Sequence, residues 1–296
     1  RVLSIQSHTV HGYVGNKSAV FPLQLHGFEV DIINSVQFSN HTGYPAGWKG
    51  EVLQGNQLND LVDGLEANHL LQGYSYILTG YIGSASFLNA VMKTVQRLRE
   101  ASPGVSFLCD PVMGDHGKLY VPKELVQIYR EQVVPLASVL TPNRFEAELL
   151  TDRPIASKGD AAEACRELHE RGPHTVLITS MSFEGDGATP SSYLLMMASR
   201  KEAGGAVRQW TLQVPRIDKN FTGTGDLTAA LFLAWMHRKP SVEELPEVLE
   251  KVGATLQTVL GETTRLGRSE IALIQSQDAL RAPTVEYHAQ ELSPEQ

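Results

Sequence analysis

The chain of 296 residues contains 42% apolar and 20% charged residues, a balance that is typical of a globular protein with a large core. Its 33 acidic and 25 basic side chains give a formal net charge of -8, which argues against nucleic acid or an anionic membrane as the main partner. The longest uninterrupted apolar run, Ala229–Met236, is far shorter than the roughly 20 residues that cross a bilayer.

The two cysteines, Cys109 and Cys165, stand 56 residues apart and form no CxxC pair. One lies in an apolar run and the other in a helical pattern, so we expect free thiols in a reducing compartment. We see no signal-peptide pattern, and we therefore expect a cytoplasmic protein.

Short apolar runs alternate with amphipathic segments over the first part of the chain. Six runs are nearly all apolar, which predicts strands buried on both faces: Val2–Ser7, Val30–Val36, Tyr76–Thr79, Val105–Cys109, Ser138–Leu140 and Val176–Thr179. The segments between them show helical spacing: Lys17–Leu25, Leu58–Leu70, Ser86–Arg99, Glu124–Val134 and Ala161–Glu170. This alternation predicts a mostly parallel sheet that is covered by helices on both faces.

The pattern changes after the sixth predicted strand. Tyr193–Met197 and Trp210–Val214 are typical of strands, and the polar connection Ser199–Val207 predicts that they form an antiparallel hairpin at a sheet edge. Helical patterns follow at three places: Asp226–His237, Glu244–Leu260 and Ser269–Leu280. We find no internal repeat and no long linker, so we expect one domain over residues 1–282 and a loose tail over residues 283–296.

The strongest chemical signal is the segment Phe221–Asp226, of sequence FTGTGD, directly before the apolar helix Leu227–Met236. Glycines at a helix start let backbone N–H groups approach an anion, and the helix dipole adds positive potential there. Asp226 is well placed to accept the proton of a substrate hydroxyl group beside that anion. Asp and Thr are also good helix N-caps, and the segment taken alone fits an ordinary helix start somewhat better.

Two carboxylates follow the predicted strand that ends at Cys109, in the segment Asp110–Asp115 of sequence DPVMGD. Ligands of open α/β sheets bind outside the carboxyl ends of the strands. Two acids at that place suit a hydrated Mg²⁺, which prefers oxygen ligands and keeps several waters. Asp, Pro and Gly are also turn formers, so an ordinary turn is the alternative.

Asn143 and Glu146 follow the next strand, in the segment LTPNRFE. Their spacing resembles a capping box with Asn in place of Ser or Thr, which would explain both residues structurally. The functional alternative places both side chains at phosphates and metal, on the same sheet edge as Asp110. Thr179 and Ser180, at the end of a further strand, would add hydroxyl groups and carbonyls to that edge.

The N-terminal segment Gln6–Ser18 is not a Walker loop, because Asn and not Gly stands directly before Lys17. It also lacks the first glycine of a dinucleotide-binding GxGxxG pattern. We interpret it as a strand-to-helix loop that contacts a small ligand through Ser7. After the second and third strands, SNHTGY and TGY offer a planar ring a stacking partner in Tyr81 and a hydrogen bond from Thr42, although each cluster alone is also typical of a turn.

In chain order, the chain contains QSHTVHGYVGNKSAVFPLQLHGFEV, SNHTGY, YILTGYIGS, CDPVMGD, LYVP, LTPNRFEAELL, VLITS and FTGTGDLTAALFLAW. This succession resembles the pyridoxal kinases of the ribokinase superfamily, over roughly residues 2 to 240. The resemblance implies a ribokinase-like three-layer α/β/α sandwich. It implies ATP-dependent phosphorylation of the 5′-hydroxymethyl group of pyridoxal, pyridoxine or pyridoxamine, which yields pyridoxal 5′-phosphate from pyridoxal in vitamin B6 salvage. It also implies ATP as co-substrate, Mg²⁺, a monovalent cation (K⁺ or Na⁺) and a homodimer.

The resemblance implies four groups of site residues. Catalysis is implied for the general base Asp226 and for an anion hole for the transferring phosphoryl group: Gly223, Thr224 and Gly225. Substrate binding is implied for three residues that hold the pyridine ring and for one in a flap over the ligands: Ser7, Thr42, Tyr81 and Tyr120. ATP binding is implied for Asp110, Asn143, Glu146, Thr179, Ser180 and Thr224. Positions at or near the metal ions are implied for Asp110, Asp115, Thr141, Glu146 and Thr179.

The chain departs from the animal-type family pattern in the flap. Only His116–Leu119 separates Asp115 from Tyr120, whereas that pattern has a longer acidic loop that contains glycine. We therefore expect a shorter flap that closes less completely.

Two alternative functions remain open at this point. Hydroxymethylpyrimidine phosphate kinases share the fold and act on a related ring, but that family tends to have Cys where Asp226 stands. A catalytically inactive, nucleotide-binding homologue is the alternative of a different class. The intact Asp226 and GTG segment argue against it, since an inactive protein has no need of the base.

Overall fold

The computed structural model describes residues 1–183 and 192–293. The described strands are β1 (Val2–Thr9), β2 (Val30–Phe38), β3 (Gly50–Val52), β4 (Tyr76–Thr79), β5 (Ser106–Cys109), β6 (Gly114–Asp115), β7 (Lys118–Leu119), β8 (Val139–Leu140), β9 (Thr175–Met181), β10 (Tyr193–Lys201), β11 (Val207–Pro215) and β12 (Gln290–Glu291). The described α-helices are α1 (Asn16–Leu25), α2 (Gly55–Ala67), α3 (Ala85–Ala101), α4 (Lys123–Ile128), α5 (Arg144–Thr151), α6 (Lys158–Arg171), α7 (Thr224–Arg238), α8 (Leu245–Arg265) and α9 (Gln277–Arg281).

All of these strands except β6 and β7 form one sheet, in the order β12-β11-β10-β9-β8-β5-β4-β1-β2-β3. The central strands from β9 to β2 are parallel. Antiparallel strands form both edges, with β3 beside β2 and with β10, β11 and β12 beyond β9. The mostly parallel sheet and the antiparallel hairpin near its edge are confirmed. The hairpin connection is shorter than predicted and covers residues 202–206.

Helices cover both faces of the sheet, and each face has its own apolar core. The first core lies beneath α2 to α6, and the second lies beneath α1, α7 and α8. Along β1, Leu3 and Ile5 belong to the first core and Val2 to the second, because successive side chains of a strand point to opposite faces. The three-layer α/β/α sandwich is confirmed, and the carboxyl ends of its parallel strands lie at one edge.

Helix α7 lies between α1 and α8 and is apolar on every side. Every residue from Leu227 to Met236 is buried, which is typical of a helix enclosed by other elements. Its first turn, Thr224–Asp226, is the glycine-containing segment singled out above. The packing of the helix therefore fixes the position of that turn at the sheet edge.

The predicted helix Ser269–Leu280 is wrong over its first part, residues 269–273. Only α9, together with a single 3₁₀ turn at Ile274–Ser276, is helical there. Glu270 and the following residues Ile271, Ala272 and Leu273 are buried, because this segment enters the protein interior as an irregular chain. A short apolar run does not by itself distinguish a helix from a buried irregular segment, so the pattern of these residues did not settle their conformation.

The expected loose tail is also wrong where it is described. Gln290 and Glu291 pair with Thr211 and Trp210 of β11, and Tyr287 packs against the second core. We propose that residues 1–282 and this added edge strand form a single domain.

Both cysteines are buried and free, as the sequence predicts. Within residues 1–183 and 192–293, no helix has the length and apolar character that crossing a bilayer requires.

Candidate active site

A cavity of about 660 Å³ opens at the carboxyl ends of the parallel strands. Every site residue predicted from the sequence lines it: Ser7, Thr42, Tyr81, Asp110, Asp115, Tyr120, Thr141, Asn143, Glu146, Thr179, Ser180, Gly223, Thr224, Gly225 and Asp226. The fold thus brings together segments that are up to 219 residues apart in sequence, from Ser7 to Asp226. Their individual roles stay predictions.

Asp226 lies in the first turn of α7, whose N-cap is Gly223. Its Oδ2 accepts a hydrogen bond of 2.7 Å from the backbone N–H of Gly15, and within the described residues its Oδ1 has no hydrogen-bond partner. Burial raises the pKa of Asp226 to about 6, although the Gly15 N–H lowers it. A carboxylate with one fixed oxygen and one open oxygen is suited to accept a proton from a ligand in the cavity.

Two glycines bring the backbone close to this carboxylate. A Cβ atom on Gly15 would lie 2.0 Å from the carbonyl oxygen of Ser7, and one on Gly223 would lie 2.1 Å from that of Tyr13. Both glycines have positive φ angles, 53° and 86°. The contact of Gly15 with Asp226 was not predicted, because nothing in the local sequence connects the two residues.

Asp110 lies beside the same helix start. Its Oδ2 is 3.4 Å from the position that a Cβ atom on Gly225 would take, so the carboxylate faces the glycine-rich turn. Asp110 is buried, and burial together with the charges of Glu146 and Asp226 raises its pKa well above the usual range. Neither Asp110 Oδ2 nor the buried Thr141 Oγ1 makes a hydrogen bond of ordinary geometry with the described residues.

Buried oxygens without hydrogen-bond donors, in a group of carboxylates, fit a bound cation. In the described part of the chain no three His, Cys, Asp or Glu side chains are placed to hold a metal ion by themselves. A cation at Asp110 would therefore complete its coordination with water, phosphate oxygens, hydroxyl groups or carbonyls, as Mg²⁺ commonly does.

Asn143 and Glu146 form the capping box of α5, so the structural alternative for this pair is confirmed. Asn143 Oδ1 accepts from the Glu146 N–H at 2.9 Å, and Glu146 Oε2 accepts from the Asn143 N–H at 2.8 Å. Glu146 Oε1 accepts in addition from the N–H of Met113 at 2.9 Å, and Asn143 Nδ2 donates to the carbonyl of Gly114 at 2.8 Å. Burial raises the pKa of Glu146 to about 8, against these N–H groups, which lower it. The box therefore also fixes the segment after β5.

That segment continues into the flap, which is a hairpin of β6 and β7. The connecting residues His116 and Gly117 have φ angles of 48° and 75°, as in the tight two-residue turns that join antiparallel strands. Tyr120 follows the hairpin, lines the cavity and is 54% exposed. The short flap is thus a regular hairpin. The sequence did not predict it, because strands of two residues are too short to show an alternating pattern. It also places Lys118 in the cavity wall.

The chain is similar to several known proteins. A family model described as phosphomethylpyrimidine kinase matches residues 66–270. The chain is 53% identical to a pyridoxal kinase from Arabidopsis thaliana, over 99% of this chain and 95% of the relative. It is 46% identical to a pyridoxal kinase from Homo sapiens, over 91% of this chain and 87% of the relative. A solved pyridoxal kinase from Leishmania donovani, in complex with ADP and pyridoxamine, has a TM-score of 0.90 and 38% identity, with 99% of each chain covered.

Proposed function

The chain belongs to the pyridoxal kinase family, and we propose on this premise that it transfers the γ-phosphoryl group of ATP to the 5′-hydroxymethyl group of pyridoxal. Pyridoxine and pyridoxamine are the further acceptors we propose. The observation that supports this activity best is the pairing of Asp226 with the glycine-rich N-terminus of α7, in one cavity with Ser7, Thr42 and Tyr81.

In the proposed reaction, the oxygen of the substrate hydroxyl group forms a bond to the γ-phosphorus. The bond from that phosphorus to the β–γ bridging oxygen breaks, and ADP leaves with the bonding electron pair. Asp226 Oδ1 accepts the hydroxyl proton, while the Gly15 N–H holds Oδ2. With a pKa of about 6, most Asp226 side chains are ionised at neutral pH and able to act as the base.

The N-terminus of α7 supports the assignment of Gly223, Thr224 and Gly225 as the anion hole. Unpaired backbone N–H groups at a helix start point toward an anion, and the helix dipole favours negative charge there. Such fixed donors stabilise charge that develops on the phosphoryl oxygens during transfer. Gly223 is the N-cap with a φ of 86°, a conformation that favours glycine.

We propose Mg²⁺ and a monovalent cation, K⁺ or Na⁺, as further requirements. Asp110 and Glu146 are the carboxylates proposed near Mg²⁺ and the ATP phosphates, and Asp115, Thr141 and Thr179 are proposed near the monovalent ion. Such cations would neutralise phosphate charge during binding and transfer. The two Glu146 oxygens already accept backbone N–H groups, so Glu146 serves first to position its surroundings.

Asn143, Ser180, Thr179 and Thr224 are the remaining residues we propose at ATP, and Tyr120 is proposed to cover the ligands. We also propose that the protein is a cytoplasmic homodimer, on the basis of its resemblance to the family. Light scattering coupled to size exclusion tests the dimer, because a mass close to the chain mass of 32.5 kDa would contradict it.

Hydroxymethylpyrimidine is the second acceptor to consider, since the matching family model is described by a phosphomethylpyrimidine activity. A coupled ADP-release assay separates the two. We expect ADP release with pyridoxal, pyridoxine and pyridoxamine, and none above background with 5-deoxypyridoxal, which has the same ring but lacks the accepting hydroxyl group. ADP release with hydroxymethylpyrimidine and not with pyridoxal would refute the proposal, as would equal release with 5-deoxypyridoxal.

A further inference from the structure

One buried carboxylate outside the cavity wall connects two parts of the site. Glu270 is 8% exposed and lies in the irregular segment between α8 and α9. It accepts hydrogen bonds from the Tyr13 N–H to Oε2 at 3.0 Å and from the Tyr44 hydroxyl to Oε1 at 2.8 Å. His41 Nε2 lies 3.2 Å from the same Oε1. Three groups from two loops near the N-terminus thus converge on a residue near the C-terminus.

The first connection leads to the catalytic base. A Cβ atom on Gly12, which has a φ of 89°, would lie 2.1 Å from Glu270 Oε2, so the carboxylate fills the space beside this glycine. The next residue, Tyr13, donates its N–H to Glu270, and its carbonyl oxygen packs against Gly223. Two residues further on, the Gly15 N–H holds Asp226. Glu270 therefore fixes the loop that orients the base.

The second connection leads to the loop that contributes Thr42 to the cavity wall. His41 and Tyr44 lie on either side of Thr42 in the sequence, and both contact Glu270. The Gly43 N–H donates to His41 Nδ1 at 3.1 Å, which leaves the hydrogen on Nε2, where it points to Glu270. Thr42 itself is exposed, so the position of its loop depends on these flanking contacts.

We propose that Glu270 is a positioning residue for phosphoryl transfer, which holds the ring-binding loop through Tyr44 and His41 and the base-orienting loop through Tyr13. This inference rests on the proposed function. Because Glu270 accepts three donors in a buried place, its loss leaves donors unpaired in both loops at once. It therefore acts on binding of the acceptor and on turnover, and not on binding of ATP, whose proposed residues lie on other segments.

The test uses Glu270→Gln, which keeps the size of the side chain but replaces one acceptor oxygen by a donor. We expect the KM for pyridoxal to rise and kcat to fall by roughly tenfold each, the usual scale of a lost hydrogen bond to a charged group, and the KM for ATP to stay within threefold. Glu100→Gln is the matched control, since Glu100 is exposed on α3 and makes no hydrogen bond or ion pair in the described part of the chain. We expect it to behave as the wild type.

Tyr44→Phe separates the two connections, because it removes only the hydroxyl bond of the ring-binding loop. We expect a higher KM and a weaker calorimetric affinity for pyridoxal, with kcat unchanged, and a smaller effect of this substitution in the Glu270→Gln background. Kinetic constants of Glu270→Gln equal to those of Glu100→Gln would overturn the proposal, even with a lower Tm. If Glu270→Gln does not fold, an unchanged KM for pyridoxal in Tyr44→Phe overturns it. A wild-type protein that is inactive on pyridoxal refutes the proposed function instead.

Discussion

Replacing Asp226 with Asn should abolish most of the activity and at the same time stabilise the protein. The amide oxygen can still accept the hydrogen bond from the Gly15 N–H, so the local structure is retained. The variant loses the base, and we expect kcat to fall by roughly 10²–10⁴-fold. The KM for ATP should stay within a few-fold, because Asp226 does not belong to the proposed ATP-binding residues.

The expected gain in stability follows from the pKa of Asp226, which burial raises from 3.8 to about 6. Between these two values the folded state binds the proton more tightly than the unfolded state, so the free energy of unfolding decreases as the pH rises through this window. At pH 7 the ionised side chain therefore costs at most about 3 kcal/mol, and Asn does not carry this cost. The difference between the variant and the wild type should shrink as the pH falls through this window, and it should vanish only well below pH 3.8, where Asp226 is protonated in the folded and in the unfolded wild type.

Asp160→Asn is the matched control, because Asp160 occupies the same place in the first turn of α6 that Asp226 occupies in α7. Its hydrogen bonds with Ser157 and Ala156 lower its pKa, so its effect on stability has the opposite sign. We expect Asp160→Asn to destabilise the protein at pH 7 and to leave turnover unchanged. Urea unfolding at pH 7 and pH 4, together with steady-state ADP release, measures both effects. Turnover of Asp226→Asn within threefold of the wild type would leave Asp226 only the role of holding the Gly15 loop, and a loss of stability as in Asp160→Asn would contradict the expected gain.

Three further predictions concern the cations and the flap. Turnover should fall at least tenfold when tetraethylammonium is the only monovalent cation and should recover with KCl, and full activity without K⁺ and Na⁺ would rule out the monovalent site. Tyr120→Ala should raise the KM for pyridoxal more than it lowers kcat, because contact with a bound ring acts on ground and transition states alike, and unchanged kinetics would make Tyr120 a surface residue. A glycine-containing insert between His116 and Gly117 should lower acceptor-free ATP hydrolysis relative to the kinase rate, since a longer flap excludes water better, and an equal or higher ratio would contradict this.

The sequence predicts the central sheet well because its strands are buried on both faces and therefore appear as apolar runs. The strand Tyr76–Thr79 is predicted to the residue, and the other parallel strands differ by one or two residues at their ends. Elements without such a signal were not predicted. The strands of the flap hairpin have two residues each, and α5 has eight, so periodicity is too short to see. Within the predicted helix Ser269–Leu280, residues 270–273 are buried but form an irregular chain, so their apolar pattern does not indicate a helix.

Site residues that directly follow strands could be predicted, because the topology alone brings strand ends to one edge. The roles of Glu270 and Gly15 could not be predicted from the sequence. Glu270 acts through the backbone N–H of Tyr13, 257 residues away in sequence, and any residue other than proline at position 13 would provide this donor. A contact between a side chain and a distant backbone group leaves no pattern of residue types, so only the fold reveals it.

The capping box of α5 shows why structural and functional interpretations of the same residues need not exclude each other. The Glu146 carboxylate caps α5 by accepting a hydrogen bond from the Asn143 N–H. It also accepts one from the Met113 N–H, just before the flap. A substitution of Glu146 therefore acts on the flap even if the side chain never touches a ligand. Loss of a helix cap alone would change stability, whereas a displaced flap would change the KM for the acceptor.

The cavity wall is acidic, so binding of anionic ATP needs a source of positive charge. Four carboxylates line the cavity, from Asp110, Asp115, Glu146 and Asp226, and among the described residues that line it Lys118 is the only Lys or Arg. The nucleotide is itself strongly anionic, so its phosphates would repel ionised carboxylates such as Asp226. Burial and neighbouring negative charges already raise the pKa of Asp110 and of Glu146, so the wall disfavours further negative charge. The cations proposed above would offset this repulsion if they bind together with the nucleotide, and the partial positive charge at the N-terminus of α7 acts in the same direction. Binding of ATP and of cations to this cavity is therefore expected to be cooperative, and the site has no need of a basic pocket.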